Sequence, residues 1–248
     1  MNYLDAIFQR KSMRKFIGVE ILPELLERIG QRFMEAELLI PLSYIERVMS
    51  DYCTHEKRAP YYLGIYTDGS KDGWMNAGYV IQQVSLYLTA IGIGSCCMAG
   101  DTIFPKVNES GNPLAITLAF GFTDEDVYRP AEKARRKNMQ QLCKWMDQPM
   151  ECTRSLLEAA RMAPSALNRQ PWRFVVYERG FHVFVTRKSR LGSERLWYVN
   201  QGIVIANIDI AATEQDIKIC RRVREGMASR RYKHLDYVCS ISVSGSRS

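Results

Sequence analysis

Two short stretches of this chain read nearly alike. Residues 74–81 are WMNAGYVI and residues 198–205 are YVNQGIVI, so Asn76 matches Asn200, Gly78 matches Gly202, Val80 matches Val204 and Ile81 matches Ile205. Each stretch lies in a long apolar run, over 73–94 and near 194–213. A helix that is hydrophobic nearly all round is stable only when buried, so both are expected to be central helices. Each run follows a strand-like segment and precedes another, at 113–122 or 237–244. The matching order predicts an internal duplication in which each half supplies one central helix and part of a sheet. A chain so built imitates two subunits of a dimer joined end to end. Pro149 marks the junction, giving halves 1–148 and 149–248 packed closely enough to count as one domain.

The remaining elements fit this plan. Residues 1–10 place Leu4, Ile7 and Phe8 on one helical face. PELLERIGQRFMEAELL opens with Pro23 in its first turn, as a helix start does. YYLGIYT at 61–67 reads as a strand. Residues 129–145 read as a basic tail followed by a short helix. In the second half a helix over 152–163 leads to a strand over 172–178. The turn ERG then gives a hairpin with FHVFVTR.

Composition narrows the function. The chain has 248 residues, 46% of them hydrophobic, enough for a sizeable core. Its formal net charge of +7 admits nucleic acid or a phosphate-bearing ligand. The basic residues cluster near turns without interleaved aromatics, which argues against a nucleic-acid stacking platform. No segment approaches the ~18 apolar residues of a membrane span. The charged N-terminus lacks the apolar core of a signal peptide. The seven cysteines are odd in number and lack zinc-ligand spacing. They are expected to be free thiols in a reducing cytoplasm. The three histidines are scattered and read as surface or core residues, and no metal site is expected.

Four constellations carry chemistry. QRKSMRKF brings Arg10, Lys11, Ser12 and Arg14 together after a short helix, a set of donors suited to phosphate oxygens. EKARRKNMQQLCKW carries Arg135, Arg136 and Lys137, which could close on the same anion from another side. Taken alone, either run also reads as solvated surface. GIGSCCMAGDT, 92–102, ends a helix with small residues; it reads either as an ordinary helix end or as backbone open to a flat ligand. Its Cys96 and Cys97 are taken as packed thiols. Finally, EAARMAPSALNRQPWRFVVY holds a loop dense in small and hydrogen-bonding residues. Ser165 and Ala166 would let a ring lie against the backbone, and Asn168 and Gln170 would offer hydrogen bonds to its edges. Pro164 and Pro171 restrict the loop and lower the entropy lost on ordering.

These residues resemble the nitroreductase family of flavoproteins. RKSMRKF, the small-residue segment after a central helix, the strand ending in FGF, Arg136 before Trp145, and above all LLEAARMAPSALNRQPWRFVV carry the likeness over most of the chain. The order departs from ordinary members, in which the PS-x-x-N loop follows soon after the basic motif. Here the first half has ELLIPLSYIER at that place, and the second half has the loop without the motif. The resemblance therefore implies an α+β, nitroreductase-like fold with a mixed or antiparallel sheet and surrounding helices, in a single-chain form of the family dimer.

It further implies one FMN per chain and NADH or NADPH as co-substrate. Hydride would pass in ping-pong order to a small-molecule acceptor such as a nitroaromatic, a quinone or an enone. Arg10, Ser12 and Arg136 would hold the phosphate, with Lys11 and Lys137 in reserve and Arg14 at the pyrimidine edge. Backbone of Cys97, Met98, Ala99 and Gly100 would lie along the ring toward N5. Pro164, Ser165, Ala166, Leu167, Asn168 and Gln170 would support the ring from the opposite half, and no acid/base side chain is implied. The expected protein is a cytoplasmic monomer with internal pseudo-two-fold symmetry, without nucleic-acid or membrane partners. The alternative is a degenerate flavin-binding or scaffold protein without turnover.

Overall fold

The computed structural model describes residues 1–53, 59–98, 103–186, 193–223 and 234–244. The first helix, α1 (Tyr3–Gln9), is capped by the Asn2 side chain, which accepts from the Asp5 N–H at 2.7 Å. Helix α2 (Pro23–Glu35) opens on Pro23, whose fixed φ suits a first turn. Strands β1 (Ile45–Met49) and β2 (Tyr61–Thr67) precede the long helix α3 (Lys71–Ala90), capped by Ser70. Strands β3 (Gly94–Met98) and β4 (Leu114–Gly121) follow. A 3₁₀ turn at Ala131–Lys133 leads to the short helix α4 (Met139–Leu142) and strand β5 (Cys143–Trp145). Then come α5 (Glu151–Met162), β6 (Trp172–Tyr177), β7 (Gly180–Thr186), α6 (Glu194–Glu214), β8 (Lys218–Arg222) and β9 (Leu235–Ser244).

The strands form two sheets. The first runs β1-β2-β4-β3, antiparallel throughout. The second runs β5-β6-β7-β9-β8, with β5 parallel to β6 and the other pairs antiparallel. Setting β5 aside, the second order repeats the first, each with one long helix between its second and third strands in sequence. Strand β2 and strand β4 are buried on both faces, hence their continuous apolar runs.

The two long helices cross at the matched glycines. A Cβ on Gly78 would lie 2.0 Å from the carbonyl oxygen of Val199, and one on Gly202 would lie 1.9 Å from that of Met75. Met75 and Val199 occupy the same place in the two stretches, so the contact is reciprocal, as across a two-fold axis. Only a residue without a Cβ permits this approach. The helices and the inner faces of both sheets share one hydrophobic core, from Ile7 and Phe33 through Trp172 to Phe181 and Val243.

Two expectations need correction, and two strands were missed. The apolar run 73–94 is not one helix: α3 ends at Ala90, Gly92 turns with φ +80°, and Gly94 begins a strand. The small residues there pack under an edge, since a Cβ on Gly94 would come within 2.9 Å of Met13. The basic segment ends not in a helix alone but in a strand, β5, docked on β6. Strands β1 and β8, IERVM and KICRR, carry charges that mask their alternation and were not foreseen.

Candidate functional site

The site begins where α1 stops. Arg10 caps that helix and forms an antiparallel bridge with Tyr128, while the Arg129 N–H donates to the Gln9 carbonyl at 2.9 Å. The Met13 N–H donates to the Ser95 carbonyl at 3.0 Å, pinning the basic motif to β3. Arg10 is 4% exposed. Its Nη2 donates to the Ser12 hydroxyl at 3.2 Å, but its Nε has no partner among the described residues. Nor do Nε and Nη2 of Arg129, which are equally buried.

The electrostatics of this cluster are one-sided. Burial lowers the Arg10 pKa, and Arg129 and Arg14 lower it further, against the pull of Cys97 and Cys96. Arg136 is pushed down to about 10, first by burial and then by Arg10, Arg129 and Arg161. Among the described residues, only Arg161 of these arginines has a carboxylate, Glu158 at 2.6 Å. Among the described residues, Arg10, Arg129 and Arg136 have none within ion-pair range. Buried charges without a counter-charge are costly. An anion that enters this cluster relieves the repulsion and supplies acceptors to the partnerless donors.

Arg136 joins the cluster to the loop after α5. Its Nε and Nη2 donate to the Met162 carbonyl at 3.2 and 3.1 Å, and its Nη1 donates to Asn168 Oδ1 at 3.0 Å. The loop is strained: Leu167, Asn168 and Gln170 have φ of +52°, +53° and +47°. Such conformations persist only where neighbours enforce them. Here the Ala166 N–H donates to Asn200 Oδ1 at 3.0 Å, and the Gln170 N–H donates to the Ser165 hydroxyl at 2.8 Å. The Asn168 amide donates to the Arg135 carbonyl at 2.8 Å, and the Lys137 N–H donates to Gln170 Oε1 at 2.7 Å. Leu167 is left at the tip, 85% exposed.

Thus Arg10, Ser12, Arg136 and the loop Pro164 to Gln170 come into one neighbourhood, from opposite ends of the chain. Some expected roles differ in detail. The side chains of Asn168 and Gln170 are engaged by the 135–137 segment, because those amides close the strained loop. The Lys137 ammonium donates to the Arg169 and Gln170 carbonyls at 2.9 and 3.2 Å, and Lys11 lies 3.9 Å from Glu125, so both reserves are occupied. Cys97 and Met98 stand on β3 opposite Leu118 and Thr117. Burial pushes the Cys97 thiol up to about 12, which leaves it protonated and inert at neutral pH. All seven cysteines are free. Ala99 and Gly100 lie outside the described residues.

Sequence reasoning missed three contributors. Arg129 opens the run read as a basic tail, and its role depends on a backbone pairing with Gln9 that no local pattern shows. Arg161 stands near the end of α5 and was given no role. Asn200 was part of the internal echo, yet its partner Ala166 was not foreseen. Among the described residues no group of His, Cys, Asp and Glu is placed to hold a metal ion, and no helix is long and apolar enough to cross a membrane.

Comparison with known proteins bears on this geometry. The family model described as TM nitroreductase matches residues 2–212. A solved nitroreductase from Thermotoga maritima superposes with a TM-score of 0.68 at 20% identity, covering 98% of this chain and 93% of that one. The FMN-dependent nitroreductase of Clostridium difficile R20291 gives 0.41 at 20% identity, over 54% of this chain and 99% of that one. A nitroreductase from Desulfovibrio desulfuricans, solved in complex with FMN, gives 0.47 at 15% identity, over 60% and 97%. No curated protein matches. The match to the family model spans most of the chain, and the whole-length superposition gives the same fold: this chain belongs to the nitroreductase family.

Proposed function

We propose that this protein is an FMN-dependent NAD(P)H oxidoreductase that passes hydride in ping-pong order to nitroaromatics, quinones or related acceptors. When bound, the flavin supplies the redox chemistry, and the protein supplies position and charge. The observation that carries the reading is the junction at Arg136: one guanidinium shares the field of Arg10 and holds the Asn168 loop. An anionic group and a planar group are thereby given adjoining berths.

The residues fit that cofactor. The partnerless Nε of Arg10, beside the Ser12 hydroxyl, suits a phosphate. Arg14 adds positive charge toward the pyrimidine edge. Ser165 and Ala166 present small side chains and backbone on a loop held rigid before a ligand arrives, which lowers the entropy lost on binding. Backbone of Cys97 and Met98 would line the other side in this reading. No side chain is assigned as acid or base. The halves 1–148 and 149–248 stand in for the two subunits of the family dimer, and one chain makes one complete site as a monomer. The reciprocal glycine crossing and the repeated strand order support that reading.

The test is the absorbance spectrum of the purified full-length protein, followed by NADH and NADPH titration with a panel of acceptors. A flavin spectrum near one per chain, bleached by either nucleotide and restored by a quinone or nitroaromatic, is the expected result. A colourless protein that ignores added FMN sinks the proposal.

A further inference from the structure

We propose that Arg129 is a second guanidinium ligand for the anion, forming with Arg10, in the positive field of Arg136, a cradle for a phosphate monoester dianion. The identity of the ester rests on the flavin reading above, whereas the cradle stands on its own geometry. Arg129 belongs to neither basic motif. It is brought to the site by the pairing of 128–129 with the end of α1, through the Tyr128 bridge to Arg10 and the Arg129 N–H on the Gln9 carbonyl.

Its charge is unanswered where other basic residues are satisfied. Lys11 faces Glu125, Arg161 faces Glu158, and Arg221 is paired with Asp209. Lys137 and Arg173 donate to carbonyls of the 169–172 segment. Arg47 also has a partnerless Nε, but both its Nη atoms are spent on the carbonyls of Met34 and Ala36. Arg129 has two buried donors with no acceptor, Nε and Nη2, and these are the adjacent edge of the fork that grips two oxygens at once. Every pair among Arg10, Arg129 and Arg136 is close enough for mutual repulsion. A phosphate monoester carries about −1.5 to −2 at neutral pH. Such a dianion offsets most of three charges, which a neutral ligand does not.

The experiment compares the full chain with its Arg129→Gln variant, freed of small molecules by dialysis and titrated with inorganic phosphate, FMN and riboflavin. Thermal shift and flavin fluorescence are the readouts. Arg154→Gln is the control, since that guanidinium lies over the Trp145 ring, 5.8 Å from its centre. The variant is expected to weaken phosphate and FMN by about tenfold to a hundredfold, the range for a charged hydrogen bond, and riboflavin by less than about twofold. Wild-type affinity of the variant for phosphate and FMN overturns the proposal, as does a parallel loss of riboflavin. If Arg129→Gln fails to fold, Arg129→Lys restores the charge without the fork. Intermediate affinity for phosphate and FMN then upholds the proposal, and unaltered affinity overturns it. Phosphate binding without FMN binding leaves the cradle standing and removes the flavin reading alone.

Discussion

The two halves share a frame and treat buried charge differently at matched positions. Counting from the matched glycines, Asp209 on α6 holds the place of Ser85 on α3, seven residues on. The fourth residue of β8 is Arg221, and the fourth of β3 is Cys97. Beside Cys97 lies Arg10, whose charge has no carboxylate partner among the described residues. On the other side Arg221 is paired with Asp209, and the Tyr79 hydroxyl donates to the same carboxylate oxygen at 3.0 Å. The first arrangement concentrates positive charge without a counter-charge among the described residues. The second brings its own. An anion arriving there would meet a carboxylate already in possession, which favours the proposed single site per chain.

Removing that internal carboxylate gives the largest effect. Asp209→Ala leaves a half-buried Arg221 unanswered and is expected to cost about 3–5 kcal/mol in urea denaturation. The double change Asp209→Ala with Arg221→Met should recover most of it. The matching change Ser85→Ala, which loses only a hydroxyl contact to Ser95 at 3.2 Å, is expected to cost about 1 kcal/mol. Equal costs at Asp209 and Ser85 would break the comparison.

The crossing of α3 and α6 tests the shared frame itself. Gly78→Ala and Gly202→Ala each push a methyl group against a backbone carbonyl, which no rotamer change relieves. Each is expected to cost about 3 kcal/mol, and the two should agree to within about 1 kcal/mol because the contact is reciprocal. Thermal denaturation of the pair decides it. A tolerated alanine at one site and not at the other would mean that the helices cross asymmetrically.

Much of this frame was legible because it is written in apolar periodicity. The two central helices, strands β2, β4, β6, β7 and β9, and the echo of WMNAGYVI in YVNQGIVI all follow from burial, which leaves long apolar runs. The edge strands were not legible. Lys218–Arg222 alternates charge with Ile219, and Gly94–Met98 is too small to show alternation; both are strands because β9 and β4 offer unpaired edges. In the site, Arg10, Ser12 and the 164–170 loop could be read from their residue types. Arg129 and Asn200 could not, since each acts through a partner distant in sequence, Gln9 in one case and Ala166 in the other.

The smallest expected effect separates the loops. Asn76 and Asn200 are matched positions that pin matched loops, yet they do so differently. Asn76 Oδ1 accepts from the Ile40 N–H at 2.9 Å and its amide donates to the Ile40 carbonyl at 2.8 Å. Among the described residues, Asn200 holds only the Ala166 N–H. Both loops carry a leucine at positive φ, Leu42 at +68° and Leu167 at +52°, so each depends on its pin. Asn76→Ala and Asn200→Ala should each cost about 1–3 kcal/mol, the penalty for a backbone group left without its partner. Their effects on flavin binding should diverge. Asn200→Ala frees the loop proposed to support the ring and is expected to weaken FMN about tenfold in a fluorescence titration. Asn76→Ala frees a loop on the charge-filled side and should leave FMN affinity within about twofold. Equal weakening by both would mean that the pins act through the common core rather than through their own loops, and the two sides would then not be independent.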